Sequence, residues 1–492
     1  MVKANYHGLA LLVTATAAAQ NLPPIGSDIE REAAYYEIVD IPVPTQHHIE
    51  ATSFLELPDG RLLMGTRRGD VFFVSGADTT PPAPRFELFA TGLHEVFGLA
   101  QREGTIYATQ QGEVTRLIDR NGDGRVDRYE TVSDAWGFGG EHEFAFGSDF
   151  DTNGDIWVLL GLTGSYTSEN LFRGWCLRVR ADGTTIPTCS GLRSPGGIGS
   201  NLAGDMFYVE SQGPWNGSCS LRQLRHGAFM GHPIGNKWYE HAPNMGPRPA
   251  EPTGGREGRR HIDAQRIPQL AMPAVVLPYK KMGQSASAVT CDRSEGAFGP
   301  YAGQFFLADY TLSLVMRVDL EKVGGQYQGA CFPFRESFKT GLIGGILTRK
   351  GQLFVSGSSR GWPTRGASPS ALQRLHWKKK VPFEVHKMRL SGSGFLLTFT
   401  RPVDPRTATI VESYAISTYT HHFRGAYGSP EIDHTHPSIR EAKVSADGMT
   451  VRIEVEGLQI GHVHELKLPG LRARNGEELL HDVAYYTLNR LK

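Results

Sequence analysis

One phrase recurs down the chain and limits the folds open to it. A turn glycine, often after Asp or Asn, is followed by alternating apolar and aromatic residues. It appears as PDGRLLMG at Gly60, EGTIYAT at Gly104, NGDIWVLLG at Gly154, AGDMFYVE at Gly204, AGQFFLAD at Gly303 and KGQLFVSG at Gly351, at spacings of 44, 50, 50, 99 and 48 residues. Period-2 alternation after a turn marks a strand with two unlike faces. A strand–turn–strand unit repeating every ~45–50 residues is the signature of propeller blades. Six phrases predict six blades. The 99-residue interval leaves room for a seventh, but residues 226–285 contain no such phrase and are rich in Gly, Pro, His and Arg (GPRPAEPTGGREGRRH). They are expected to form a long loop insert over one face of the disc, where binding residues often lie.

The rhythm changes after Trp377. A Lys378–Lys380 run leads into FEVHKMRLSGSGFLLTFTRPVDP, then KVSADGMTVRIEVEGL and HVHELKLPGL, strand runs bounded by Gly or Pro. Turn signals at ~8–12 residues suit an immunoglobulin-like sandwich. The expected fold is therefore all-β: a six-bladed β-propeller over 50–377, with the insert at 226–285, followed by a small immunoglobulin-like β-sandwich over 378–492. Residues 20–49 are expected to be an N-terminal extension.

Ahead of them, Lys3 precedes the apolar run GLALLVTATAAA, which ends in Ala17-Ala18-Ala19 before Gln20. This matches a signal peptide over 1–19 and is too short to span a bilayer. It predicts a periplasmic or secreted protein with no transmembrane segment. Lys+Arg and Asp+Glu both number 51, so no nucleic-acid partner is suggested.

Five cysteines suit an oxidising compartment. CLRVRADGTTIPTC is expected to be a hairpin with a type I′ turn at Asp182-Gly183. Counting outward places Cys176 opposite Cys189, close enough for a disulfide. No Cys-x-x-Cys-His occurs, so covalent haem is not expected.

The sharpest local motif is Asp119-x-Asn121-x-Asp123-Gly124-Arg125-x-Asp127-x-x-Glu130. Its oxygen side chains fit a twelve-residue calcium loop, with the Arg125 carbonyl at the seventh position. EVTRLI before it reads as strand, so the expectation is a Ca2+-clipped hairpin loop within a blade. The alternative is a turn that binds nothing. The later Asp149, Asp151, Asn153, Asp155 series lacks a closing Glu and reads as turn chemistry.

A second constellation is spread across blades: Gly139-Gly140-Glu141-His142, Gly191-Leu192-Arg193-Ser194-Pro195, and Gln212-Gly213-Pro214-Trp215-Asn216. Loops of successive blades converge on the channel mouth, so these can meet. A His can serve as general base, an Arg can hold an anionic oxygen, and Gly-Pro carbonyls can ligate Ca2+. Arg193 can equally pair with an acid such as Glu210.

GLRSPGGIGSNLAGDMFYVESQGPWNG resembles the G-x-R-N-P-x-G … D-x-G-P stretch of the glucose/sorbosone dehydrogenase superfamily. The likeness continues through HGAFMGHP, AVVLPYKKMGQSASAVTC, AGQFFLADYTLSLVMRVDL and KGQLFVSG, and covers about residues 50–377. HEFAFGSDFDTNGDIWVLLGLTGS and the FRGWCLRVRADG stretch resemble planctomycete-type, membrane-bound-dehydrogenase-like propellers. The resemblance implies a six-bladed propeller that oxidises an alcohol or hemiacetal carbon of a sugar or polyol. Hydride would pass to Ca2+-held pyrroloquinoline quinone, with an electron-acceptor protein as a possible partner.

By residue, the resemblance implies cofactor or substrate contact at Arg193, Ca2+ at the Gly213 and Pro214 carbonyls, and His142 as the base. Gln212, Trp215, Asn216, Lys281 and Gln284 are the expected substrate contacts. Asp309-Tyr310-Thr311-Leu312 and Thr340–Gly345 stand where that superfamily carries basic residues. The rival functions are a non-catalytic carbohydrate- or protein-binding propeller, and a lyase or hydrolase using His142 with a neighbouring acid.

Overall fold

The six repeat glycines share one backbone conformation. In the computed structural model, which describes residue 26, residues 28–44, residue 47 and residues 49–492, Gly60, Gly104, Gly154, Gly204, Gly303 and Gly351 have φ between 73° and 83°. Only glycine adopts this region at little cost. Each turns the chain from the innermost strand of a sheet into the second. The proposed signal peptide lies outside the described residues.

Six sheets follow. Four consecutive strands form the first blade (Ala51–Glu56, Leu62–Thr66, Val71–Ser75, Arg85–Ala90) and four the second (Gly98–Arg102, Thr105–Thr109, Val114–Ile118, Arg128–Ser133). The third runs from Ala145–Gly147 to Thr185–Ser190, and the fourth starts at Pro195–Ser200. The fifth spans Ala286–Cys291 to Gln326–Arg335, and the sixth starts at Leu342–Leu347. Each innermost strand packs against the next, and the sixth packs against the first. The ring is closed, as a propeller requires. Glycine makes the close approach possible. A Cβ on Gly98 would lie 2.5 Å from Gly147, and one on Gly196 would lie 2.0 Å from the Ala286 carbonyl oxygen.

Three strands lie where sequence reasoning did not put them. Tyr36–Asp40, within the expected extension, is the outermost strand of the sixth blade, paired with Ser370–Trp377. First and last parts of the chain thus fasten the ring. Val275–Leu277, inside the 226–285 insert, is the fourth strand of the fourth blade. Ala228–Phe229, also in the insert, adds a parallel edge to the third.

The Cys176–Cys189 hairpin corrects one expectation through another. Gly183 N–H donates to the Arg180 carbonyl (3.0 Å), Arg180 N–H donates to Thr184 (2.9 Å), and Gly183 alone has positive φ. This is a type I turn with a glycine bulge rather than type I′. It slips the register by one, pairing Val179 with Thr185. A second bulge, between Cys176 and Leu177, slips it back, and Cys176 faces Cys189 as counted. The bridge itself is absent: all five cysteines are buried free thiols.

The C-terminal segment folds as two four-stranded sheets around one apolar core that includes Phe395, Leu397, Val451, Leu466 and Tyr486. One of them continues the fifth blade, because Val483–Leu488 pairs with Gln326–Arg335. Beside this seam the His481 imidazole lies between the Glu384 (2.7 Å) and Glu32 (3.1 Å) carboxylates, and Arg335 also holds Glu32 (2.9 Å). Burial alone would lower the His481 pKa. The two carboxylates outweigh it and push it up to about 10. The N-terminal helix Ile29–Ala33, the fifth blade and the sandwich are held at this one point.

Candidate functional site

Loops entering the innermost strands, and loops joining second to third strands, gather on one face of the disc. His142 (loop 134–144), Arg193 (191–194), Gly213 (211–218), and Lys281 with Gln284 (278–285) all lie there. The topology therefore puts the residues expected to form the site at the same end of the axis. It does not put them all in contact.

His142 is exposed, and its ring lies 5.9 Å from that of Phe144. Its φ of 58° invites a functional reading, yet Glu95, also three residues before an innermost strand, has φ 53°. The left-handed bend belongs to how the chain enters a blade. Its neighbour Glu143 is the anchored residue. Glu143 is fully buried and accepts from Gly140 N–H (3.0 Å), the Asn170 amide (2.9 Å) and the Thr163 hydroxyl. Burial raises its pKa, but these donors and the Arg173 charge bring it below the usual range. Segment 161–165 then bridges to the next blade. Gly164 N–H donates to Glu141 (2.6 Å) and Leu162 N–H to the Arg193 carbonyl (2.9 Å).

Arg193 is 5% exposed. Its Nε donates to the Ser165 carbonyl (3.0 Å) and its Nη1 to the Gln212 carbonyl (2.6 Å). The guanidinium lies against Gly213, where a Cβ would come within 2.1 Å of Cζ. Glu210 is not its ion-pair partner. That carboxylate accepts the Arg193 (3.3 Å) and Ser194 (2.6 Å) backbone N–H groups and the Tyr208 hydroxyl (2.9 Å).

Residues 213–217 meet the sandwich. Gly213 and Asn216 bond each other across a turn made by Pro214 and Trp215. Gly428 N–H donates to the Gly213 carbonyl (3.2 Å), and Trp215 N–H to Arg424 (2.7 Å). The Asn216 side chain accepts from Arg222 (2.6 Å) and donates to Ser211. Lys281 is paired with Glu431 (2.9 Å) and Glu465 (2.8 Å) of the sandwich. Gln284 is buried, with its N–H on Asp309 (2.7 Å). Trp215 and Lys281 thus serve an interdomain contact, whereas the Gln212 carbonyl and the Asn216 side chain bond within the propeller, to Arg193 and Arg222.

This arrangement does not fit a Ca2+-held quinone. The Gly213 carbonyl already accepts two N–H groups (3.1 and 3.2 Å). Two Arg193 donors are committed to carbonyls, which leaves Nη2 to meet one carboxylate and not three. The other mouth arginines, Arg67 and Arg360, are held by Glu95 (3.2 Å) and Glu50 (2.7 Å to Nε). A tricarboxylate needs donors free to receive it.

The expected calcium loop lies on the far face and is closed on itself. Asp119 caps Gly122 and Gly124 N–H (2.7 and 2.8 Å), Asn121 caps Asp123, Asp123 caps Arg125, and Asp127 caps Arg120. Glu130 pairs with Arg116 (3.2 Å) and Arg128 on neighbouring backbone. Among the described residues no group of three or more His, Cys, Asp or Glu is placed to hold a metal ion. The Asp151 series is turn chemistry as expected: Asp151 caps Asn153 and Asp155 N–H and accepts from the Trp157 indole.

Sequence reasoning missed the residues that dominate the mouth. Arg67 lies over the Phe144 ring (6.0 Å) and Arg360 reaches back to Glu50. A signal existed: TRRG at 66–69 and SSRG at 358–361 follow the repeat phrase in the first and last blades. Tyr166 and Tyr427 flank Arg193, with centroids 5.7 and 5.1 Å from Cζ. Tyr427, from the sandwich, had no signal. The innermost strands enclose a central cavity of about 560 Å³ between Phe97, Phe146, Ile198 and Ile343 and the far-face turns.

Residues 59–336 match the family described as "Domain of unknown function (DUF7133)". The chain belongs to that family. The match ends with the fifth blade and covers more than half of the chain. No curated protein matches it. Among solved structures, a putative oxidoreductase (glucose dehydrogenase) from Thermus thermophilus is similar at 18% identity and TM-score 0.47, over 69% of this chain and all of that one. The PQQ-bound aldose sugar dehydrogenase of Streptomyces coelicolor is 16% identical, with TM-score 0.45 over 70% and 98%. The holo PQQ domain of Coprinopsis cinerea pyranose dehydrogenase is 11% identical, with TM-score 0.47 over 69% and 95%. At these values no cofactor or substrate passes from them to this family member.

Proposed function

We propose that this chain binds a carbohydrate or polyol across the mouth face, in the periplasm or outside the cell. One observation carries the reading. Of the five exposed aromatic side chains among the described residues, Phe138, Tyr166, Trp362 and Tyr427 all stand on mouth-face loops, each 48–54% exposed. The fifth, Tyr129, is tied through its hydroxyl to Thr91. Exposed rings gathered on one surface mark a binding face. Flat rings beside hydrogen-bonding groups give a polyhydroxyl ring an apolar platform together with donors and acceptors. Arg67–Glu95, Arg360–Glu50 and Tyr310 supply those groups.

Export is supported by the apolar run with its small-residue end. Among the described residues no helix is long and apolar enough to cross a membrane. Hydride transfer to a quinone forms no part of this reading, because the Gly213 carbonyl already accepts two N–H groups and Arg193 keeps Nη2 alone for a tricarboxylate.

Calorimetry of the full chain against neutral and acidic mono- and oligosaccharides tests the reading. Saturable binding that Tyr166→Ala weakens about tenfold is expected. A folded protein that binds no member of the panel overturns it. Dye-linked oxidation of the same panel, after incubation with Ca2+ and pyrroloquinoline quinone, is expected to be absent. Turnover needing both would restore a dehydrogenase and bring in an electron-acceptor partner.

A further inference from the structure

Arg193 is a buried cation without a counter-charge. Among the described residues no carboxylate lies within ion-pair distance of its guanidinium. Its two hydrogen bonds go to neutral carbonyls, and Nη2 makes none. Behind it stand two more arginines in the same condition. Arg222, 1% exposed, donates to Asn216 Oδ1, Ser220 Oγ and the Met230 carbonyl. Arg260 donates to the carbonyls of Met230 (3.0 Å), Ala271 (3.1 Å) and Trp215 (2.7 Å). The acids near this group are Glu210, occupied by N–H groups and a tyrosine hydroxyl, and Asp263, turned to Arg266 and Thr253. Buried charges are ordinarily paired. Here three guanidiniums lie close together, Arg222 and Arg260 sharing the Met230 carbonyl, and among the described residues none has a carboxylate at ion-pair distance.

The two half-exposed tyrosines define what reaches Arg193. Tyr166 and Tyr427 lie on its guanidinium with centroids 6.5 Å apart and planes at 39°. Tyr427 is carried by the sandwich loop between Ala415–His421 and Glu431–Thr435. That loop is pinned to the propeller by Arg424 on Trp215, Gly428 on Gly213 and Ser429 on Gly217. The sandwich therefore supplies one wall of this subsite.

Resting on the carbohydrate reading above, we propose that the Arg193–Tyr166–Tyr427 subsite selects an acidic sugar. Its carboxylate or sulfate completes the Arg193 charge while the ring lies against the tyrosines. An oxyanion beside an unpaired guanidinium gains a charge-assisted bond that a hydroxyl does not.

The test is calorimetry of the full chain with an oligogalacturonide, a neutral xylo-oligosaccharide and a sulfated oligosaccharide of equal length, and polyglutamate. Expected is binding of an acidic sugar about tenfold or more tighter than the neutral one, weakening with salt. The better of the carboxylated and sulfated arms identifies the anion. Arg193→Gln should bring the ratio of acidic to neutral affinity down to about one. Because Arg193→Gln perturbs a buried group, Tyr427→Ala at an exposed position is the second variant, expected to weaken acidic-sugar binding about fivefold with an unchanged melting temperature. Equal affinity for acidic and neutral sugars overturns the acid selection and leaves the carbohydrate reading standing. Polyglutamate binding as tightly as the acidic sugars overturns the sugar part. Full affinity in Tyr427→Ala overturns the role of the sandwich.

Discussion

The two sides of the mouth treat arginine in opposite ways. On the side of the first and sixth blades, Arg67 and Arg360 each meet a glutamate, at 3.2 Å from Glu95 and 2.7 Å from Glu50. On the fourth-blade side, Arg193, Arg222 and Arg260 donate to carbonyls, an amide and a hydroxyl, and share little negative charge. The first arrangement is electrically complete and presents polar groups of both signs. The second is packed and hydrogen-bonded, with no carboxylate among the described residues at ion-pair distance from the three guanidiniums. Counting basic residues along the sequence would score the two sides alike. What separates them is whether a carboxylate has been spent on the cation or on the backbone.

The largest effect should come from Glu210. It is a buried carboxylate on the fourth-blade side of the mouth and caps two N–H groups. Glu210→Gln removes the charge and weakens the bonds from two N–H groups and the Tyr208 hydroxyl, so it should cost about 2–3 kcal/mol. The denaturant midpoint measures it. A cost below about 1 kcal/mol would mean the fourth-blade side is already balanced, and the contrast would fail.

Glu50→Gln, on the paired side, should cost less, about 1–2 kcal/mol, because Arg360 is half exposed and can return to water. Its pH dependence has a definite sign. Burial raises the Glu50 pKa, but Arg360, Ser358 and the Arg67 charge hold it below the ordinary carboxylate value. Its contribution is therefore complete above the unfolded pKa of about 4.3 and is lost as pH falls through the folded one. The wild type should lose more stability than Glu50→Gln on acidification in that window. Parallel acid limbs would remove Glu50 from the account.

The blades were legible because period-2 alternation after a glycine turn is local, and all six glycines adopt the conformation that the phrase implies. Hidden parts depended on distant pairing. Tyr36–Asp40 closes the sixth sheet against a partner more than 300 residues away and carries no phrase of its own. Val275–Leu277 is too short to show alternation. Cys176 meets Cys189 although the turn is not the expected type, since two one-residue slips cancel.

At the candidate site, loop order placed His142, Arg193 and Gly213 on one face, and the structure has them on one face. It could not show that residues 213–217 and Lys281 meet the sandwich, because those contacts join positions 150 to 215 residues apart. The calcium motif reads two ways for a local reason. Asp and Asn at alternate positions satisfy backbone N–H groups as well as they satisfy a cation, and Glu130 was claimed by Arg116 across the strand pair.

The smallest effect sharpens the comparison most. Glu95→Gln would leave Arg67 without its carboxylate, making the paired side resemble the unpaired one. The ion pair is only partly buried, with side chains 26% and 19% exposed. Its loss should change stability by no more than about 1 kcal/mol. If unpaired guanidinium at the mouth is what draws an acidic sugar, this variant should gain affinity for the oligogalacturonide by about two- to threefold, with none gained for the neutral oligomer. An equal gain for both would trace the effect to removed bulk or altered loop packing. No gain at all would place the acid-selective position at Arg193 alone, where burial between two rings amplifies a charge that Arg67, open to water, cannot express.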